Sequence, residues 1–140
     1  MKRVTHAEYE ALAEFRYALR RFQHFSEEAA KSVGLTAQQH QALLVIKGFV
    51  RRAPVTVKVL AERLLIQHNS AVGLVDRLEA MHLIERRTDP DDRRRIVLTM
   101  TSPGEKLLEK LTRAHKEELR HIAPELKPIV DQMFGANSDR

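Results

Sequence analysis

The chain has no cysteine. Disulfide staples, thiolate nucleophiles and cysteine-based redox sensing are therefore excluded. It also lacks any run near the roughly 18 apolar residues of a membrane span. The start, Met1-Lys2-Arg3-Val4-Thr5-His6, continues into polar and acidic residues rather than the apolar core of a signal peptide. The expectation is a cytoplasmic, nucleoid-associated protein with no membrane partner. There is no Gly-rich phosphate loop, nucleophile elbow or paired-carboxylate arrangement, so an enzyme is not expected. The seven histidines, His40, His68 and His82 among them, are spread along the chain without metal-ligand spacing. No metal and no cofactor is expected. Internal repeats and low-complexity segments are absent too.

What is present is a 140-residue chain with an ordinary apolar fraction of 43%. That length fits one domain, or one domain with extensions. Lys plus Arg number 24 against 19 Asp plus Glu, a modest net charge of +5. The distribution is more telling than the sum. Arginine supplies 16 of the 24 cations, and Arg86, Arg87, Arg93, Arg94 and Arg95 fall within ten residues. A planar guanidinium makes paired hydrogen bonds to phosphates and base edges, which an ammonium cannot.

Periodicity divides the chain. Residues 6–32 contain no Pro or Gly. Leu12, Phe15, Leu19, Phe22 and Ala29 recur at helical spacing, with Ala11, Ala18 and Phe25 beside them. Such a helix is longer than a small core needs, and its phenylalanines suggest burial by another subunit. Gly34 marks its end. Thr36 begins a second helix, with Gln39 placed for a capping box and Leu43, Leu44, Ile46 and Val50 as its buried stripe. Residues 51–54 form a connector ended by Pro54.

Thr56 caps a short third helix over 57–65, with Leu60, Ala61 and Leu64 inward. A fourth helix follows over 68–80. Its Ala71, Leu74, Val75 and Leu78 form one face, and Asn69, Val72, Gly73, Asp76 and Arg77 the opposite one, with Ser70 at the margin. The period then shortens. Leu83–Arg87 and Arg95–Met100 read as strands around a turn-rich loop, Thr88–Asp92. Ser102-Pro103-Gly104-Glu105 is a helix start, with Ser102 as cap, Pro103 at the first position and Glu105 reaching back. That fifth helix is expected to end near 122. Pro124 opens a last one through Phe134, and 135–140 read as a frayed tail.

A helix fits the roughly 12 Å wide major groove, and the first residues of a recognition helix reach base edges. Here the outward residues of the first turns are His68, Asn69, Ser70, Val72 and Gly73, short and mostly polar or small. Asn69 can read an adenine edge, and Val72 can meet a thymine methyl. Gly73 costs roughly 1 kcal/mol in mid-helix relative to Ala, which close approach to a partner would explain. Arg77, a turn further on, suits phosphate. Asp76 is expected to orient a wing arginine, Arg94 or Arg95. The hairpin tip is narrow enough for a minor groove, with Arg94 the first choice to enter it. Arg93 and Arg95 contact phosphates or brace the tip, and Asp91 and Asp92 hold the loop's shape. The alternative for each is plain: Asn69 and Ser70 as helix caps, Asp76 as a solvated acid.

The sequence resembles the MarR family of bacterial transcriptional regulators. The match is carried by Val59-Leu60-Ala61-Glu62-Arg63-Leu64, Gly73-Leu74-Val75-Asp76-Arg77-Leu78-Glu79 and Leu83-Ile84-Glu85-Arg86. It continues through Asp89-Pro90-Asp91-Asp92-Arg93-Arg94-Arg95, Leu98-Thr99 and Gly104, in the family's order and spacing. The resemblance implies a mainly α fold with a small β-hairpin wing, a winged helix-turn-helix flanked by N- and C-terminal dimerisation helices. The reading is one such domain over 1–140, with its core at 36–100 and dimerisation helices at 6–32 and 102–134.

The resemblance further implies a homodimer on double-stranded DNA at a pseudo-palindromic operator. It would be a repressor whose affinity responds to a small aromatic or amphipathic effector. Candidate effector-lining residues are Phe15, Arg16, Leu19, Phe22, His40, Leu43 and Leu44, with ordinary core packing as the alternative for Phe15, Phe22 and Leu43. The competing function is a winged-helix adaptor that binds another protein and no specific DNA.

Overall fold

A computed structural model describes residues 2–135. In chain order it comprises α1 (His6–Ser32), α2 (Ala37–Phe49), α3 (Val57–Leu64), α4 (His68–Ala80), β1 (Ile84–Thr88), β2 (Ile96–Met100) and α5 (Ser102–Phe134). The fold is thus mainly α with one antiparallel hairpin, as expected from the change of period after α4. It parts into two compact units, Met1–Ala29 with Arg113–Arg140, and Ala30–Thr112. The division runs through α1 and α5. No helix among the described residues is long and apolar enough to cross a membrane.

The central unit is a three-helix core closed by the hairpin. Thr36 and Gln39 form the expected capping box: Thr36 Oγ1 accepts from the Gln39 amide at 3.1 Å, and Gln39 Oε1 accepts from the Thr36 amide at 3.0 Å. Thr56 accepts from the Val59 amide at the start of α3. Leu43, Leu60, Leu74 and Leu78 are fully buried, joined by Ile84 and Leu98 from the hairpin. The α2 stripe differs from expectation. Leu44 is 47% and Val50 49% exposed, because α2 turns Ala42, Leu43 and Ile46 to the core instead. The hairpin pairs Arg86 with Leu98 and Thr88 with Ile96. Its Leu98 amide also donates to the Val55 carbonyl at 2.8 Å, so the connector before α3 contributes one rung of extended chain.

The α5 start is also corrected. Thr101, not Ser102, is the cap: its Oγ1 accepts from the Gly104 amide at 3.0 Å. The hydroxyl is held in place because it donates to the His82 carbonyl at 2.7 Å, while the Thr101 amide donates to Leu83. Glu105 pairs with Lys47 at 2.7 Å rather than reaching back. Nor does α5 stop near 122. It runs unbroken through Pro124 and Pro128. Each proline removes one intrahelical bond, but the two are four residues apart, on one exposed face, where water can meet the freed carbonyls.

In the terminal unit the two long helices run antiparallel. Ser26 meets His115, Arg21 pairs with Glu125 and Glu10 accepts from Gln132, so partner numbers rise along one helix as they fall along the other. The rings of Phe22 and Phe25 each make a T-shaped pair with the His115 ring, at 5.8 and 5.3 Å between centroids. Ala11, Ala18 and Ile122 are buried here, whereas the larger Leu12, Phe15 and Leu19 stay exposed in the single chain.

Two backbone positions decide local stability in opposite senses. A Cβ on Gly104 would sit 2.1 Å from the Leu83 carbonyl oxygen, part of a backbone already fixed by the Thr101 bond. Leu65 ends α3 at φ 58°, in the left-handed region, with its side chain 92% exposed. Gly104→Ala is expected to lower the urea midpoint, because overpacking costs about 1–3 kcal/mol and outweighs the gain of roughly 1 kcal/mol in helix propensity. Leu65→Gly is expected to raise it, since the left-handed penalty of about 1–2 kcal/mol exceeds glycine's entropic cost of about 0.5–1 kcal/mol. Equal midpoints for both variants would contradict these assignments.

Candidate nucleic-acid interface

The candidate interface lies wholly in the central unit and is made by α4 and the hairpin. The α4 helix begins at His68, with Gln67 as a cap residue that makes no side-chain capping bond. Asn69 and Ser70 therefore do not cap the helix; they lie within its first turn. Both are exposed, as is His68, and none of the three side chains has a hydrogen-bond or ion-pair partner among the described residues. Val72 and Gly73 are half-buried beside them, and Arg77 is exposed. A Cβ at Gly73 would meet only the Arg77 guanidinium, at 3.5 Å and beyond, which is ordinary contact. Nothing inside the protein therefore demands glycine at 73.

The hairpin is fastened to α4 by one residue the sequence reading passed over. The Arg86 guanidinium donates to Asp76 Oδ1 and to Glu79 Oε1, each at 2.6 Å, and the Arg86 amide donates to Glu79 Oε2 at 3.1 Å. Asp76 thus orients a hairpin arginine, but that arginine is Arg86 on β1 rather than Arg94 or Arg95. Strand alternation gives the reason: Arg86 shares a face with Ile84, which is buried, so its side chain turns toward α4. The same alternation was readable in the sequence as Ile84-Glu85-Arg86. The Glu79 carboxyl is held below its usual range chiefly by the Arg86 amide and then by its guanidinium.

At the tip, two Asx-turns follow one another. Asp89 Oδ1 accepts from the Asp91 amide at 2.9 Å, and Asp92 Oδ1 accepts from the Arg94 amide at 3.1 Å. Asp89, buried, also takes the Arg95 guanidinium at 2.8 Å, while its amide donates to the Arg95 carbonyl. The Asp91 amide and then Arg95 hold the Asp89 carboxyl below its ordinary range. Arg95 therefore braces the loop. Asp91 contributes its amide, Asp92 its carboxylate, and Asp89 is the organising acid that the sequence reading left in the turn without a role. Arg87 is drawn to Glu85 at 2.8 Å. The side chain of Arg94 is 94% exposed, with only a 3.4 Å contact to Asp92. Arg93 is exposed and has no carboxylate partner among the described residues. Of the five clustered arginines, Arg93 and Arg94 keep the most charge available to a partner.

The expected effector-lining residues divide between the two units. Phe15, Arg16 and Leu19 are exposed and Phe22 half-buried in the terminal one. In the central one His40 and Leu43 are buried and Leu44 is exposed. No group of three His, Asp or Glu suited to a metal ion occurs among the described residues.

Against known proteins, a family model described as MarR family matches residues 33–95. An uncharacterized HTH-type transcriptional regulator of Bacillus subtilis, YcgE, is 28% identical over 101 residues, 72% of this chain and 64% of that protein. The chain thus spans less than two thirds of the length of that curated relative. The fold is similar to that of wild-type E. coli MarR in its apo form, at a TM-score of 0.68 and 18% identity over 90% of this chain and 88% of that one. It is also similar to S. aureus MepR in a DNA complex, at a TM-score of 0.64 and 23% identity over 88% and 90%.

The two lowered carboxyls give the hairpin a pH dependence of definite sign. A depressed acid contributes stability above its unfolded value, about 4 for Asp and Glu, and loses it as pH falls through the folded value. Amide protection factors in β1 and β2 are therefore expected to fall between pH 5 and pH 3 before those of α2 do. Glu79→Gln should show weakened hairpin protection already at pH 6. Parallel loss in hairpin and α2, with no effect of the variant at pH 6, would refute the clamp.

Proposed function

We propose that this chain, whose residues 33–95 match a MarR family model, is a member of that family of winged helix-turn-helix regulators and a sequence-specific double-stranded DNA-binding regulator of transcription. In this reading it acts without catalysis, as a homodimer on a pseudo-palindromic operator, and represses. One observation carries the reading: the exposed polar edge of α4 is clamped, through Arg86, to a hairpin whose tip carries the exposed Arg93 and Arg94. Two such elements on one rigid frame suit neighbouring grooves of one duplex. His68, Asn69, Ser70, Val72 and Gly73 face the major groove, with Arg77 toward phosphate. Arg94 enters the minor groove, Arg93 takes phosphate, and Arg95 with Asp76, Asp91 and Asp92 supports the wing. That the similarly folded MepR has been solved in a DNA complex supports DNA as the partner.

The terminal unit supports the homodimer. Leu12, Phe15 and Leu19 lie three and four residues apart, so they form one exposed apolar stripe on α1. A second copy covers it, and two recognition helices are then presented about 34–36 Å apart, one helical turn of DNA. A small amphipathic effector lowers affinity if it binds a different lobe separation more tightly than the DNA-competent one.

Gly73 supplies the sharpest test, because its two roles predict opposite signs. The free protein has room for a methyl group there, so Gly73→Ala is expected to raise stability by about 1 kcal/mol. If the helix backbone approaches base edges at 73, the same variant weakens operator binding by at least tenfold. Higher stability with unchanged affinity would move the major-groove contact off this turn. Arg94→Ala is expected to weaken operator binding and to flatten its salt dependence by about one counterion. An affinity for operator no different from that for random duplex, in the parent protein, would favour a protein-binding adaptor.

A further inference from the structure

The turn that joins α3 to α4 carries a costly residue that the fold does not require. Leu65 ends α3 at φ 58°, and its side chain is 92% exposed. An exposed leucine alone is ordinary. One held in the left-handed region is not, because that backbone suits glycine, is tolerated by asparagine and strains a leucine. A large aliphatic side chain kept in water adds a second cost at the same position. At that exposure the interior gains almost nothing from it, and the apolar residue that the turn tucks inward is its half-buried neighbour Ile66. Strain retained at an exposed position points to a task outside the folding of the chain. The turn is also well held. The Leu65 amide donates to the Glu62 carbonyl at 3.3 Å and the Ile66 amide to the Ala61 carbonyl at 3.0 Å, so the side chain leaves a fixed backbone.

Position and chemistry together identify the partner. In a helix-turn-helix the first helix crosses the sugar–phosphate backbone, and the N-terminal residues of the second reach base edges. The turn between them passes from the one to the other. Leu65 stands in that turn, three residues before His68, where α4 begins. Its neighbours toward α4, Gln67, His68 and Asn69, are all polar and exposed. A leucine offers no donor to a phosphate and no acceptor to a base amine. The apolar group that a duplex presents in its major groove is the C5-methyl of thymine. We infer that Leu65 is a specificity-determining residue, whose side chain packs on the methyl group of a thymine just outside the base steps read by Asn69 and Val72. The inference rests on the DNA reading above and deepens it. The fixed turn suits the role, since little ordering cost remains to be met on binding.

The test uses the full-length protein and a duplex that the parent selects from a random pool. Each thymine of one half-site is replaced in turn by deoxyuridine, which removes the methyl group and leaves the pairing edge intact. At one position the parent is expected to lose about fourfold in affinity, the worth of one buried carbon group. Leu65→Gly and Leu65→Asn should both bind the unmodified duplex more weakly and be indifferent to uracil at that position. Both variants accept the left-handed backbone, and Leu65→Gly is expected to be more stable than the parent, so weaker binding cannot be assigned to unfolding. Val72→Ala should stay sensitive to the same uracil, which separates the Leu65 thymine from the one that Val72 meets. Unchanged affinity in both Leu65 variants would overturn the inference. So would a loss equal on selected and random duplexes, which would move Leu65 onto the sugar–phosphate backbone. A uracil effect that persists undiminished in both variants at every thymine would overturn it as well. A parent protein with no preference for the selected duplex would end the DNA reading and this inference with it, whereas a clear preference that survives Leu65→Gly would end this inference alone.

Discussion

The Arg86 guanidinium, held between Asp76 and Glu79, is the interaction on which the geometry of the candidate interface depends. A two-stranded hairpin is marginal alone, and a seven-residue tip would otherwise hinge about its base. One arginine meets two carboxylates on adjacent turns of α4, and its own amide satisfies a third acceptor. The direction of β1 relative to α4 is thereby set by charge-assisted hydrogen bonds as well as by the burial of Ile84 and Leu98. Arg86 is only 29% exposed, so the clamp is screened less than the surface pairs elsewhere.

The tip extends the same logic. Asp89 is buried and serves three donors, from Asp91 and Arg95, and Asp92 fixes the backbone under Arg94. Acidic residues in a basic loop reduce its field, yet here they decide which cations stay committed. Arg86, Arg87 and Arg95 are spent on structure. Arg93 and Arg94 are left to face outward. A rigid tip also lowers the ordering cost of binding, because the loop conformation is fixed before a partner arrives.

Much of this was legible in the residues, and the reasons differ by feature. The α4 helix shows its face through Ala71, Leu74, Val75 and Leu78, and its range matches the periodicity from His68 to Ala80. The Thr36–Gln39 box is local and needs no tertiary knowledge. Two errors came from treating local signals as decisive. Pro124 reads as a helix start, yet its exposed face tolerates the missing amide and α5 continues. Ser102 reads as a cap, yet the hydroxyl of Thr101 is positioned by His82, nineteen residues earlier. The partner of Asp76 was missed because five neighbouring arginines look alike in sequence, although strand alternation from Ile84 already turns Arg86 inward. The role of Gly104 appears only when the Leu83 carbonyl is seen against it.

The central claim is that Arg86 acts at a distance, by placing Arg94. A double-mutant cycle on operator affinity tests this most directly, using Arg86→Gln, Arg94→Ala and their combination. If placement is the role of Arg86, losing Arg94 costs at least tenfold in the parent protein and less than about threefold once Arg86 is gone. Full additivity of the two losses, with the hairpin still folded, would show that the clamp and the wing arginine contribute independently and would contradict the account.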